Sequence, residues 1–225
     1  MVNPGFQINT VFERPDSALV AQFRGLASSN ISDAMNRSFS MASRIRPYNA
    51  VPLCGVAFTV KVKPGDNLML HKATELAQPG DIIVVDGQGD MECSIVGDLV
   101  LSLFRKRGIR GIILDGCVRD VATYAGWDDF SVFAAGINPH GPLKEGPGEI
   151  GFPIACGNAV VMPGDIVVGD EDGVVVVRQK NAADVLKKTH AVMAKEKGVV
   201  EEIAQGDWSR PWLDEILKKN GCTFS

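Results

Sequence analysis

Residues 98–120 read DLVLSLFRKRGIRGIILDGCVRD, with an acid at the start and an Arg-Asp pair, Arg119 and Asp120, at the end. Between them, LVLSLFRKRG has helix-compatible spacing. Leu99, Ser102, Leu103 and Lys106 fall along neighbouring faces, and Gly108 is a natural stop. RGIILDG then has the run of branched residues of a short buried strand, Ile112-Ile113-Leu114, closed by a turn at Gly116. A helix, tight turn and strand in this order bring the start of the helix and the end of the strand to one edge. Asp98 then stands at the helix N-terminus, and Arg119 and Asp120 just beyond the strand. Two carboxylates and one guanidinium converge on a helix end whose dipole already favours anions. The plainer alternative makes Asp98 a helix N-cap and Arg119–Asp120 a solvated pair opening the next helix.

The chain has 225 residues, 45% hydrophobic and 22% charged, as expected of one globular domain with a substantial core. A net charge of −4 gives no nucleic-acid footprint, and the one tight basic run, Arg105-Lys106-Arg107, suits the last turn of a helix. No uncharged apolar run approaches the ~20 residues that span a bilayer. The first residues, MVNPGFQINTVFERP, lack the basic start and apolar core of a secretion signal. The five cysteines (54, 93, 117, 156 and 222) are scattered without a CxxC pair. Reduced, mostly buried thiols in a cytoplasm are the expectation. Cys117 lies beside the candidate corner but has no histidine near it in sequence to act as a base.

Around this segment, Pro15 and the stripe Leu19, Val20, Phe23, Leu26 predict a first helix over Asp16–Leu26, and NISDAM starts a short helix with Ser32 and Asp33 as caps or dipole partners. A strand is expected over Gly55–Lys63, where alternation gives one wetter face. LMLHKATELA is helical and DIIVVDG a central strand. His71, in that helix, is expected to be an ordinary half-buried histidine, since no second His or Cys is spaced to share a metal. Gly87-Gln88-Gly89-Asp90 has only a weak phosphate-loop likeness, with no following GK[ST]. A strand follows at Ser131–Ala135, then a Pro/Gly-rich loop carrying His140 and Lys144, whose plainer reading is a surface loop and whose alternative is one leaning over a site. Two strands flank Pro163-Gly164-Asp165. Gly169–Gly173 reads as a hairpin turn and lacks the closing Glu of a calcium loop. A long polar helix from about Asn181 to Gln205 and a short one after Arg210 finish the chain, with Trp208 and Trp212 flanking the break.

The Asp-x20-Arg-Asp spacing of Asp98, Arg119 and Asp120 resembles the signature of the divalent-metal pyruvate aldolases acting on 4-hydroxy-4-methyl-2-oxoglutarate and 4-carboxy-4-hydroxy-2-oxoadipate, relatives of the regulator-of-ribonuclease-E-activity proteins. The likeness extends through ISDAM, DNLMLHKATELAQPGDIIVVDG, VFAAGINP and MPGDIVVGDEDGVVVV, nearly the whole chain. It implies an α/β fold, a β/β/α layered sandwich of the swivelling-domain type, as one domain over residues 1–225. The C-terminal helices, about 181–220, would lie at the interface of a homotrimer or homohexamer.

It also implies a site: Asp120 as direct ligand to Mg²⁺ or Mn²⁺, Asp98 acting through metal-bound water, and a glutamate from a neighbouring subunit doing the same. Glu196 is the best match for that glutamate and Glu201 the second. Arg119 would hold the carboxylate or keto oxygen of a 2-oxo acid, and the backbone N–H groups of Leu99 and Val100 the other side of the carboxylate. Cleaving C3–C4 of a 4-hydroxy-2-oxo acid leaves pyruvate enolate, whose charge must be held as it forms. A hard cation supplies that, no lysine standing out as a Schiff-base former, with Lys144 the nearest candidate. The base for the C4 hydroxyl proton is then a water on the cation. Oxaloacetate decarboxylation passes through the same enolate and is an expected side activity. The competing expectations are a protein-binding regulator of ribonuclease E type, in which the acid after the arginine is often replaced, and a related metal-dependent lyase for another 2-oxo acid.

Overall fold

The computed structural model describes residues 3–206 and 209–223; Trp208 lies outside them. In chain order the elements are β1 (Phe6–Ile8), α1 (Ser17–Ala21), α2 (Ser28–Ala34), β2 (Arg46–Pro47), β3 (Leu53–Val62), α3 (Leu68–Leu76), β4 (Asp81–Val96), α4 (Asp98–Lys106), β5 (Gly111–Val118), α5 (Val121–Tyr124), β6 (Ser131–Ile137), β7 (Gly148–Ile150), β8 (Ile154–Cys156), β9 (Ala159–Val161), β10 (Ile166–Asp170), β11 (Gly173–Val177), α6 (Ala182–Ala204) and α7 (Trp212–Lys219). The chain packs as two units, one up to Thr189 and one from His190.

In the first unit the parallel strands β3, β4, β5 and β6 are neighbours in a nine-stranded sheet. β7 and β10 add to β3 antiparallel, and β8 and β9 form a separate hairpin. The two-residue period of a strand sorts its side chains by face. Ile83 and Val85 join Leu70, Leu101 and Phe104 beneath α3 and α4, whereas Ile82 and Val84 join Ile154, Cys156 and Val161 beneath the hairpin. Small sheet, large sheet and helices therefore lie in the expected β/β/α order. A third cluster packs Phe23, Ile31 and Leu186 against Ile166 and Val175.

Several local expectations change. β3 has no wet face along its middle: Ala57 and Thr59, on the side read as wetter, are fully buried, because hairpin β8–β9 covers it. The central strand does not end at Gly87 but runs to Val96, so the Gly87–Asp90 stretch lies inside β4. Its register to β5 jumps after Val85, with Gln88 at φ 59° and Gly89 at φ 69°, the bulge that re-aims a strand without ending it. The first helix is only Ser17–Ala21, capped by the Asp16 carboxylate accepting from the Ala18 N–H at 2.9 Å. α2 starts at Ser28, whose N–H and hydroxyl both donate to Asp170. Ser32 and Asp33 lie inside that helix and bond Ser40 and Arg37, so neither is a cap. The hairpin at Gly169–Gly173 forms as read, pairing Asp170 with Gly173.

All five cysteines are free; Cys93, Cys117 and Cys156 are buried. Among the described residues no helix is long and apolar enough to cross a membrane.

Candidate active site

Helix α4 owes its start to Gly97, an extended N-cap at φ −131° that makes no side-chain capping bond. Asp98 is thus the first helical residue rather than the cap, placed where a carboxylate suits the dipole, and Arg105 and Lys106 occupy the last turn. The helix buries Val100, Leu101 and Phe104, while Leu99 (76% exposed) and Leu103 point outward. The first intrahelical bond is Leu101 N–H to the Gly97 carbonyl. The N–H groups of Leu99 and Val100 therefore have no acceptor within the helix, as in any first turn. At Gly108, φ +80° ends the segment and turns it into β5.

β5 delivers Arg119 and Asp120 beside this helix start. The Arg119 N–H donates to the Val96 carbonyl at 3.1 Å, tying the end of β5 to the end of β4. Asp120 then adopts φ 62°, ψ 34°, a left-handed backbone uncommon for non-glycine residues though easier for Asp, which Asn36, Arg37, Phe39, Gln88 and Asn158 share here. Its Oδ2 accepts from the Asp98 N–H at 3.3 Å and lies 3.4 Å from Arg119 Nε. Arg119 and Asp120 are each about two-fifths exposed, so their mutual contact contributes little stability.

A strap from Asn138 to Lys144 crosses above. At one end the Asn138 N–H donates to the Val118 carbonyl, its side-chain amide to Met91, and the Ser94 N–H and hydroxyl to the His140 carbonyl. At the other, Leu143 and Asn67 exchange backbone bonds with Gly65 and Leu143, and the Asp66 carboxylate accepts from the N–H groups of Leu68 and Glu145. Burial raises the Asp66 pKa, but those amides and that of Gly146 outweigh it and hold the carboxyl below its usual range.

Strap, α3 and α4 enclose a cleft of about 130 Å³, lined by Asn67, His71, Ile95, Gly97, Asp98, Leu99, Val100, Arg119, Pro142 and Lys144. That is below the ~300 Å³ at which drug-sized pockets begin, and suits a small acid. A cavity of about 410 Å³ between Arg24, Leu53, Arg110 and Asp170 is larger, but it lies at the opposite ends of the parallel strands. It shares no residue with the Asp98–Arg119–Asp120 corner.

The structure thus gathers Asp98, Leu99, Val100, Arg119 and Asp120. Two further residues face the cleft: His71, read as an ordinary histidine, and Lys144, whose loop leans over the site as in the alternative reading of it. Burial and the nearby Lys144 ammonium lower the His71 pKa, favouring neutral imidazole. Asn67 donates its amide to the Ile95 carbonyl at 2.9 Å, while its buried Oδ1 has no hydrogen-bond partner. Burial pushes the Cys117 thiol up, away from a nucleophile. Glu196 lies on α6 in the second unit, and Glu201 there approaches Lys197 at 4.0 Å.

Among the described residues no three His, Cys, Asp or Glu side chains cluster as a closed metal site. Two carboxylates at one corner are still a fitting donor set for a hard cation that keeps most of its waters, and an unfitting one for zinc.

Comparison with known proteins agrees with this architecture. The family model described as RraA-like, Aldolase/RraA, matches residues 28–176. A Halalkalibacterium halodurans protein named "Putative 4-hydroxy-4-methyl-2-oxoglutarate aldolase" is 38% identical over 200 residues, 88% of this chain and 95% of that one. Among solved structures, an uncharacterised Pseudomonas syringae protein superposes with TM-score 0.77 at 25% identity, covering 87% of this chain and 93% of its own. Streptomyces coelicolor RraAS2, described as an unusual member of the RNase ES inhibitor RraA family, superposes with TM-score 0.70 at 25% identity, covering 85% and 98%.

Proposed function

Since this chain belongs to the RraA-like Aldolase/RraA family, we propose that it is a divalent-metal-dependent lyase cleaving 4-hydroxy-2-oxo acids to pyruvate and a second oxo acid. 4-Hydroxy-4-methyl-2-oxoglutarate and 4-carboxy-4-hydroxy-2-oxoadipate are the substrates of choice, and oxaloacetate decarboxylation the side reaction. The observation that carries the reading is the left-handed Asp120, held against the N-terminus of α4 beside Arg119.

Asp120 would hold Mg²⁺ or Mn²⁺, with Asp98 and a neighbouring copy's glutamate, Glu196, on the surrounding waters in a trimer or hexamer. When bound, the cation supplies positive charge where the enolate oxygen develops. Everything else falls to the chain. The N–H groups of Leu99 and Val100 receive the substrate's C1 carboxylate at the positive end of α4. The Arg119 guanidinium contacts the same carboxylate or the C2 oxygen, gaining strength as the C3–C4 bond breaks and its electrons pass through C3 to that oxygen. The C4 hydroxyl proton passes to a solvent water as C4 becomes the carbonyl of the second oxo acid, and C3 of the enolate takes a proton back from water to give pyruvate. Lys144 beside a neutral His71 offers a cation to the far carboxylate.

A regulator that binds another protein is the second reading, supported by the likeness to RraAS2. Asp120, the acid kept after the arginine, favours catalysis. A turnover screen of 4-hydroxy-2-oxo acids with and without added Mg²⁺ separates the two. Metal-dependent pyruvate release supports the lyase. Its absence across the panel, and with oxaloacetate, leaves the regulator.

A further inference from the structure

Two glycines from different parts of the chain close on one side chain. A Cβ built on Gly97, the N-cap of α4, would stand 3.0 Å from both Cγ and Nε of Arg119, and would collide with Asp120 Oδ2. A Cβ built on Gly141, in the strap, would stand 2.6 Å from Arg119 Nη1 and 3.7 Å from its Cζ. Neither glycine is there for its backbone. Gly97 sits at φ −131°, ψ −172°, which any residue adopts, and Gly141 is not among the glycines with positive φ. What both positions require is space: at Gly141 it is filled by Arg119, and at Gly97 by Asp120 Oδ2 together with Arg119.

We infer that Gly97 and Gly141 are positioning residues that clamp the Arg119 side chain from two sides and so fix where its guanidinium meets the substrate. The inference rests on the reading of Arg119 as the substrate contact. The clamp reaches along the side chain: Gly97 confines the stem at Cγ and Nε, and Gly141 the fork at Nη1. The strap that carries Gly141 is bonded at both ends, through His140 to Ser94 and through Leu143 to Gly65, so it yields less readily than the arginine does. A methyl group at Gly141 therefore moves the guanidinium rather than the strap. The far end of a long side chain shifts at little cost to the fold, so the defect falls on function and spares stability. A displacement of about 1 Å in a group that contacts reacting atoms costs up to about 10²-fold in rate.

The test is a cycle of Gly141→Ala with Arg119→Lys, with Gly126→Ala as control, since a Cβ at Gly126 meets nothing within 4 Å. Two measurements are made on the full chain: kcat and KM for the substrate found in the screen, and the phenylglyoxal labelling rate of Arg119, resolved by mass spectrometry. Gly141→Ala is expected to keep the melting temperature and lower kcat by 10- to 100-fold. It should change KM less and label Arg119 faster. In the Arg119→Lys background, which lacks the Nη1 atom, Gly141→Ala should cost nothing further. Gly97→Ala should also lower kcat, but through Asp120 Oδ2 as well as Arg119, so the Gly141→Ala cycle carries the test. Gly141→Ala matching Gly126→Ala in both measurements overturns the inference, as does an equal loss in both backgrounds. Should the wild-type protein turn over no 2-oxo acid while Gly141→Ala still alters Arg119 labelling, the clamp stands and the lyase reading fails.

Discussion

The backbone N–H of Asp98 donates to Oδ2 of Asp120 across 3.3 Å, joining two carboxylate residues 22 positions apart in sequence. One consequence is electrostatic. The bond spends a single orphan amide of α4 on the protein's own acid and leaves those of Leu99 and Val100 for another anion. The other is geometric. Asp120 holds its left-handed backbone two residues past the end of β5, so its side chain turns back to the helix end instead of following β5 outward.

Arg119→Ala is expected to lower kcat on the order of 10²–10³-fold, the usual loss when one preorganised donor to a developing oxyanion is removed. The folded state should be little affected, because the Arg119–Asp120 contact is long and half-exposed. Steady-state kinetics alongside a thermal melt check both halves. Unchanged kcat removes Arg119 from the mechanism.

His71 should titrate below the ordinary histidine value of about 6.5, because burial and Lys144 both disfavour its protonated form. The unfolded chain then takes the proton more readily than the folded one. The stability associated with this group is present above about pH 6.5 and is lost as pH falls from there toward the folded-state value. With only three histidines in the chain, an NMR titration resolves it. Lys144→Gln should raise the His71 midpoint. A wild-type midpoint at or above 6.5 contradicts the placement of His71 against the lysine.

Asp115 predicts a stability effect on the other face of the sheet. It is 5% exposed and accepts from Arg44 Nε at 3.0 Å, Arg44 Nη2 at 2.8 Å and the Gly157 N–H at 2.8 Å, pinning hairpin β8–β9 to β5. Asp115→Ala should destabilise by about 1–3 kcal/mol, the range for an orphaned buried hydrogen-bonding group, since the arginine is partly solvated. Urea unfolding measures it, and a loss under about 0.5 kcal/mol, the scale of ordinary surface substitutions, contradicts it.

Much of this was legible in local chemistry. Asp98, the basic last turn, Gly108 and the branched run at Ile112–Leu114 act within a few residues of one another, so helix, turn and strand follow from the segment alone, whereas the meeting of Asp98 with Arg119–Asp120 was one of two readings its spacing allowed. What escaped depends on distant partners. Leu99 and Leu103 have apolar helical spacing, yet α4 turns Val100, Leu101 and Phe104 inward, because the partners beneath it decide the face. β4 passes Gly87–Asp90 without ending because β5 keeps pairing with it beyond the bulge. Lys144 reaches the cleft only because Leu143 bonds Gly65 and Asn67, nearly 80 residues earlier in the chain. No spacing rule within either segment announces that.

The central claim is that Asp120 holds a hard cation whose charge the nascent enolate needs. Its most direct measurement is pyruvate release from 4-hydroxy-4-methyl-2-oxoglutarate by protein stripped with a chelator, before and after Mg²⁺ is returned, in wild type and in Asp120→Ala. The account predicts no release from stripped wild type, full recovery with Mg²⁺, and no recovery in Asp120→Ala. Undiminished release by stripped wild type, or Mg²⁺-restored release by Asp120→Ala, would contradict it.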